Sequence, residues 1–332
     1  GQGALLLSGF ALSQALSFLR NAIIAYTLSK GAFGIAATLT LALQMLETLS
    51  DLGADRLIVQ AKDGEDPALM AAAHSLLVLR GLLTGAILFL SAGAVARVFA
   101  IEHARHAFEL AALVPVIKGF VHLDQRRQQR QLRNGASMIV EVVPQLVVVL
   151  ATWPLLKWWP SFEPVVWLAL GQAVVTLIAS HAVAERSWRF GFDRRLLVRL
   201  LTFGWPIWLS AFPLLAVFQA DRVIVGSMHG VEALAGYTAA FMVTMVPGLI
   251  AAKIGHALML PVFSEARADS ALYLRRLTLA SEATSVLAAM YLVVFAVAGG
   301  AVLPLAFGPN YTGLSDLVTC LALMWTIRMV QT

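Results

Sequence analysis

Apolar stretches of about 20 residues, each followed by a short polar break, recur from one end of this sequence to the other. Such a stretch, wound as a helix, crosses the roughly 30 Å of bilayer hydrocarbon. In that medium every backbone polar group must be satisfied within the protein, which leaves helices or a closed barrel. Barrel strands alternate in polarity and run to about 10 residues, whereas these stretches are longer and rich in Leu, Ala and Met. The chain therefore reads as an all-α, polytopic membrane protein. Spans are expected near 4–28, 33–54, 69–96, 106–122, 135–156, 164–184, 204–227, 234–262, 278–304 and 314–331. Composition agrees: 59% apolar residues, 13% charged and a mean hydropathy of +0.80 lie outside the range of soluble domains. The opening lacks the basic region of a signal peptide, so its first stretch reads as a retained span. The last stops within an apparent helix, as a piece of a longer chain would.

The first span also recurs. Ser8, Phe10, Leu12, Arg20 and Gly34 reappear as Ser210, Phe212, Leu214, Arg222 and Gly236, always 202 positions later. Six spans separate the copies, an even number, so the expectation is two parallel-repeat lobes around a central cavity. The first lobe covers 1–190, a basic amphipathic connection along the membrane surface covers 191–203, and an incomplete second lobe of about four spans covers 204–332.

Loop charge sets an orientation. Fourteen Lys and Arg fall between spans two and three, four and five, six and seven, and eight and nine; the opposite loops hold only Lys30, Arg97, Arg105 and Lys157. By the positive-inside rule the basic loops and the N-terminus face the cytoplasm. The net charge of +5 is thus a topology signal, and no aromatic-basic module for nucleic acid accompanies it. Trp153, Trp158, Trp159 and Trp167 flank an opposite-side loop and read as interfacial anchors. Cys320 is the only cysteine, which excludes a disulfide framework.

Six cations remain inside or near spans: Arg20, Arg80, Lys118, Arg222, Lys253 and Arg328. A charge at membrane depth is costly and faces a polar cavity or a partner. Ser13, Ser17, Arg20 and Thr27 share one helical face, widened by Gln14 and Asn21. Bonding between helices would also use small polar residues. The cavity reading is preferred because such bonding needs no permanent charge. On the second span Thr40, Gln44, Glu47 and Asp51 form another polar face, running toward Asp55 and Arg56. Glu47 either neutralises Arg20 and other cations or binds a coupling ion, with pairing preferred. Arg222 sits beside Asp221, where a local ion pair is the economical reading. Lys253, near Pro247, Gly248 and His256, is a second candidate cavity cation, and Glu141 and Glu282 are single acids in other spans.

No GxxxxGK[ST] loop and no HExxH, CxxC or GxSxG in catalytic context is present. No metal site, cofactor or catalytic residue is drawn, and an enzyme is disfavoured. A membrane glycosyltransferase or polymerase would need substantial loops to build its donor and acceptor sites.

The run NAIIAYTLSKGAFGIAATLTLALQMLETLSDLGADRLIVQAKD carries FG after the first span and DLG closing the second. It resembles the Wzx-type oligosaccharide flippases, the polysaccharide-transport branch of the multidrug/oligosaccharidyl-lipid/polysaccharide exporter superfamily. The second half is similar through the DR pair at Asp221–Arg222, GY at Gly236–Tyr237, PVFS from Pro261 and FGP from Phe307. The resemblance implies a bacterial inner-membrane protein that moves undecaprenyl-diphosphate-linked oligosaccharide between leaflets by alternating access, feeding capsule, exopolysaccharide or lipopolysaccharide O-antigen assembly. Its partners would be that lipid-linked glycan, membrane lipid, and the polymerase and glycosyltransferases of the same pathway. It also implies a cationic cavity for the diphosphate, whose nearest matching positions are Arg20, Arg56 and Lys253; Arg222 is added as the repeat mate of Arg20. Ser17, Asn21, Gln44, Glu47 and Asp51 stand as cavity-lining or coupling residues. The alternative is a cation-coupled multidrug exporter of the same superfamily, which is expected to carry an acid on the first helix; here no acid precedes Glu47.

Overall fold

The computed structural model describes residues 2–266 and 270–331, with side chains described for 9, 11–249 and 271–330. Among these residues the regular structure is entirely helical. The helices are α1 (Gln2–Thr27), α2 (Lys30–Leu49), α3 (Ala54–Gln60), α4 (Pro67–Val98), α5 (Arg105–Ala111), α6 (Leu113–Gly119), α7 (Asp124–Arg130), α8 (Gly135–Trp158), α9 (Glu163–Ala182), α10 (Arg194–His229), α11 (Val231–Ala266), α12 (Ser270–Phe307) and α13 (Ser315–Gln331). Seven of them are long and apolar enough to cross a membrane, or eight if the α5–α6 run and α7, bent by 51°, form one span. Every expected span has a helical counterpart. Two differ in form: the fourth is divided between α5 and α6, and the second stops at Leu49, short of the expected 54.

The early end of α2 has a local cause. Asp51 Oδ1 accepts the N–H of Gly53 at 2.9 Å, a side-chain turn of the kind Asp favours. Gly53 then takes φ 60°, a left-handed conformation that only glycine adopts without strain. The DLG motif is therefore a corner, and Arg56 lies beyond it on α3, not on the second span.

The chain forms two compact units, Gly1–Ala235 and Gly236–Thr332. In the first, α4 and α6 approach closely because Gly81 and Gly85, one GxxxG spacing apart, face Gly119 and the Ala112–Val116 turn respectively. A Cβ on Gly85 would sit 2.7 Å from the Ala112 carbonyl oxygen. Gly34 on α2 lies against the Val231 backbone in the same way. Buried apolar residues of α2, α4, α5, α6 and α9 form one core, including Leu39, Leu88, Phe108 and Leu170. A second gathers Leu57, Ile58, Leu69 and Leu200 around α3. Leu82, Leu83, Phe89 and Leu90 of α4 point outward, as lipid-facing side chains do. In the second unit α12 packs on α13, with Gly299 against Val318, and Tyr291 donates from its hydroxyl to the Thr244 carbonyl at 2.6 Å.

Two helix ends keep the sequence offset: α1 ends at Thr27 and α10 at His229, 202 positions later. Residues 194–201, expected as a surface-lying connection, form the first turns of α10. Asp193 caps this helix by accepting the N–H groups of Arg195 and Leu196 at 2.8 and 3.3 Å, and no proline interrupts it before Pro206.

Candidate functional site: the charged face of the first unit

Arg20 lies two-thirds of the way along α1, half-buried in the first unit. Its Nη1 donates to Gln172 Oε1 of α9 at 2.8 Å. No carboxylate pairs with it among the described residues. Its expected neighbours are partly spent on their own helix: buried Asn21 donates from Nδ2 to the Ser17 carbonyl at 2.7 Å, and Thr27 to Ile23. Asn21 and Ser17 thus contribute a local bond in addition to any polar surface they offer.

The acidic face of α2 is neutralised, but by other cations than Arg20. Glu47 accepts from Lys118 Nζ of α6 at 3.0 and 3.2 Å. Asp51 pairs with Arg56 at 2.9 Å and with Arg80 of α4 at 3.7 Å. Arg80 also donates from Nε to Ser50 Oγ at 3.1 Å, and Asp55 meets Arg126 at 3.5 Å. Gln44 completes the face, its Oε1 accepting from Gln219 Nε2 of α10 at 3.4 Å. Glu47 is 53% exposed and Lys118 40%, though both lie on spans. A carboxylate and an ammonium do not face hydrocarbon, so this side of α2 opens on a polar space. Side chains of α3, α4, α6 and α10 converge on it.

The Arg222 backbone N–H donates to Asp221 Oδ1 at 2.8 Å, and both side chains make further interactions. Lys253 lies on the α11 backbone, but its side chain is outside the described residues, as is that of His256. Gln172, Gln219, Lys118 and Arg80 were not assigned to the site from sequence. The two cations carried a signal, being charges inside spans; so did Gln172, a lone amide in an apolar run. Which group each would meet had no sequence signal.

The sequence reading also missed a polar knot around α7, whose sequence DQRRQQR places it outside the hydrocarbon. Asp124, fully buried, accepts from Arg127 Nε at 2.6 Å and Nη2 at 3.1 Å, from Gln128 at 3.2 Å and from the Glu185 N–H at 2.8 Å. Glu185 bridges Arg127 and Arg133 at 2.7 and 2.6 Å. Burial raises the Asp124 carboxyl, but the hydrogen bonds from Arg127, Glu185 and Gln128, with the Arg127 charge, outweigh it and bring the pKa to about 2. Asp63, hydrogen-bonded by Arg199, also falls to about 2.

Helices of membrane length with charges placed inside them define a multi-pass, all-helical membrane fold, and solved structures share it. Three show similar folds: an inward-facing multidrug resistance MATE family transporter of the MOP superfamily (16% identity, TM-score 0.67, covering 96% of this chain and 79% of that one), the outward-facing form (16%, 0.52, 98% and 79%), and a MATE protein in a straight conformation (15%, 0.50, 98% and 82%). No curated protein matches the sequence. Residues 23–316 match the family described as "Polysaccharide biosynthesis protein", and the chain belongs to that family.

Proposed function

We propose that this chain flips undecaprenyl-diphosphate-linked oligosaccharide across the bacterial inner membrane by alternating access, with its basic loops and N-terminus in the cytoplasm. The observation that carries the reading is the contrast among the intramembrane cations. Lys118 and Arg80 are given carboxylates, whereas Arg20 is held by the neutral amide of Gln172 alone among the described contacts. A guanidinium kept in place without charge compensation has donors and net charge to offer an anion. A lipid diphosphate, with at least two negative charges, supplies both what Arg20 lacks and a reason for a protein to carry it across hydrocarbon. Gln172 aims the guanidinium; Arg222 and Lys253, in the second lobe of the repeat, 204–332, are further candidate cations for the diphosphate, in addition to Arg20 of the first lobe, 1–190. Arg56, committed to Asp51, serves the cytoplasmic approach. The family match supports the glycan. The multidrug transporters of similar fold support a second reading, efflux of a lipophilic cation, for which Glu47, the first acid along the chain, would be the coupling group; its pairing with Lys118 weighs against it.

The test is translocation of a fluorescent undecaprenyl-diphosphate oligosaccharide in liposomes by wild type, Arg20→Ala and Arg20→Lys. The expected result is transport by wild type, none by the alanine variant and partial activity with lysine, which keeps charge but loses the bidentate fork. Wild-type transport by Arg20→Ala at equal membrane levels removes Arg20 from the site. Absence of transport by folded wild type, with efflux of a lipophilic cation, selects the second reading.

A further inference from the structure

The connection from α9 to α10, residues 183–193, is fastened to the first unit far more firmly than joining two helices requires. Gln128 donates to the Val183 carbonyl at 3.0 Å, and Asp124 accepts the Glu185 N–H. His122 Nε2 lies 2.9 Å from the Arg186 carbonyl and His74 Nδ1 3.3 Å from that of Arg189. On their other nitrogens the same rings accept N–H groups: His74 Nε2 from Leu123 at 3.2 Å and His122 Nδ1 from Asp124 at 3.0 Å. Each ring is thereby fixed as a neutral tautomer that donates to the connection. Ser75 Oγ accepts the Gly191 N–H at 2.9 Å, and a Cβ on Gly191 would lie 2.8 Å from that of Ala71, so the backbone rests directly on α4.

This clamp presents an outer surface of one chemistry. Trp188 stacks on His74 with ring centres 5.3 Å apart; Phe190 meets Trp188 edge-on at 4.5 Å, and Phe192 stacks on Phe190 at 6.0 Å. The row ends exposed, Phe190 by 52% and Phe192 by 75%. Arg189, Arg194 and Arg195 are exposed beside it and have no carboxylate partner among the described residues. Asp193, the one acid in 188–195, is occupied as the α10 cap. The spanning part of α10 follows at once, with Trp205 and Trp208 exposed, so the stretch stands at the membrane boundary.

We propose that residues 188–195 form a preformed binding site for the headgroup of an anionic phospholipid. Phe190 and Phe192 seat at the boundary of headgroups and acyl chains, where aromatic rings are favoured, and Arg189, Arg194 and Arg195 meet the phosphate. Charge complementarity selects an anionic headgroup, and the exposed rings at a membrane edge select lipid over a water-soluble acidic protein. Because the clamp holds the backbone and the ring row in place before lipid arrives, the ordering cost at binding is confined to the arginine side chains.

The experiment is native mass spectrometry of the full chain in detergent with added phosphatidylglycerol or phosphatidylcholine. Wild type is expected to retain phosphatidylglycerol preferentially. Arg189→Gln, Arg194→Gln and Arg195→Gln should each lower that retention about fivefold, and Phe190→Ser with Phe192→Ser should lower retention of both lipids. Equal retention of the two lipids by wild type overturns the proposal whatever the variants do. Undiminished preference in the triple glutamine variant overturns it too, as does capture of poly-glutamate in place of lipid, which would assign the surface to an acidic protein. Should the triple variant fail to fold, salt dependence of wild-type retention replaces it: retention unchanged at high salt overturns the electrostatic site.

Discussion

Replacing Arg127 by Met tests the buried knot that holds α7 and the α9–α10 connection together. The substitution keeps an unbranched apolar stem and removes the guanidinium. In the native protein Asp124 has no exposed surface and four hydrogen bonds, two of them from the charged guanidinium of Arg127. After the change its carboxylate keeps only the Gln128 amide and the Glu185 N–H, both neutral. Removing one partner of a buried pair costs ~3–5 kcal/mol; the two remaining donors put the expectation at the lower end, about 3 kcal/mol near neutral pH. The deficit should shrink on acidification, because the stranded carboxyl of the variant escapes by taking a proton. Asp124→Leu with Arg127→Met should recover at least half the loss, since apolar replacement of a whole buried pair is close to neutral. The assay is unfolding in mixed micelles titrated with a denaturing detergent, followed by helix signal across pH. A single variant within about 0.5 kcal/mol of wild type, the usual range for surface changes, would refute the claim that this pair is an energetic keystone.

Acid stability follows the same groups with a definite sign. Asp124 and Asp63 are lowered to about 2, and Glu185 is lowered through its bonds from Arg133 and Arg127. Lowered carboxyls contribute stability that is full above their ordinary values near pH 4 and is lost as pH falls toward 2; burial also lowers the His122 ring, whose neutral form begins to cost stability once pH falls below the ordinary imidazole value of about 6.5. The unfolding midpoint should therefore decline gently below about pH 7 and steeply below about pH 4, and a midpoint that rises in acid would contradict it. Gln172→Leu removes the acceptor that aims Arg20, and transport should fall about five- to tenfold, worth ~1 kcal/mol, with protein levels unchanged; a variant as inactive as Arg20→Ala would show that Gln172 does more than orient. For Glu47 and Lys118, a charge swap, Glu47→Lys with Lys118→Glu, should restore the membrane level lost in either single change, and transport measured beside it separates pairing from coupling: restored level without transport assigns Glu47 a coupling role. Gly85→Leu should block α4–α6 contact and abolish accumulation, because its Cβ meets the Ala112 carbonyl oxygen and the Val116 side chain, both at 2.7 Å.

Spans and helical class were legible in the sequence because the bilayer imposes one length and one backbone solution on any apolar stretch of about 20 residues. The resemblance was legible for the same reason: DLG and the repeat-mated glycines hold local geometry, as Gly53 in its left-handed corner and Gly34 against Val231 illustrate. Charges inside spans stood out individually, since each is costly wherever it sits. What each charge meets was decided only by tertiary structure. Glu47 was expected beside Arg20 and instead meets Lys118, 71 positions away, while Arg20 meets Gln172, 152 away. Side-chain partners across helices depend on rotation and depth of each helix, and apolar spans that are hydrophobic all round, such as α4, encode neither. The clamp on residues 183–193 was hidden for a related reason: its bonds join histidine rings to backbone carbonyls and N–H groups, which every residue carries and no sequence distinguishes.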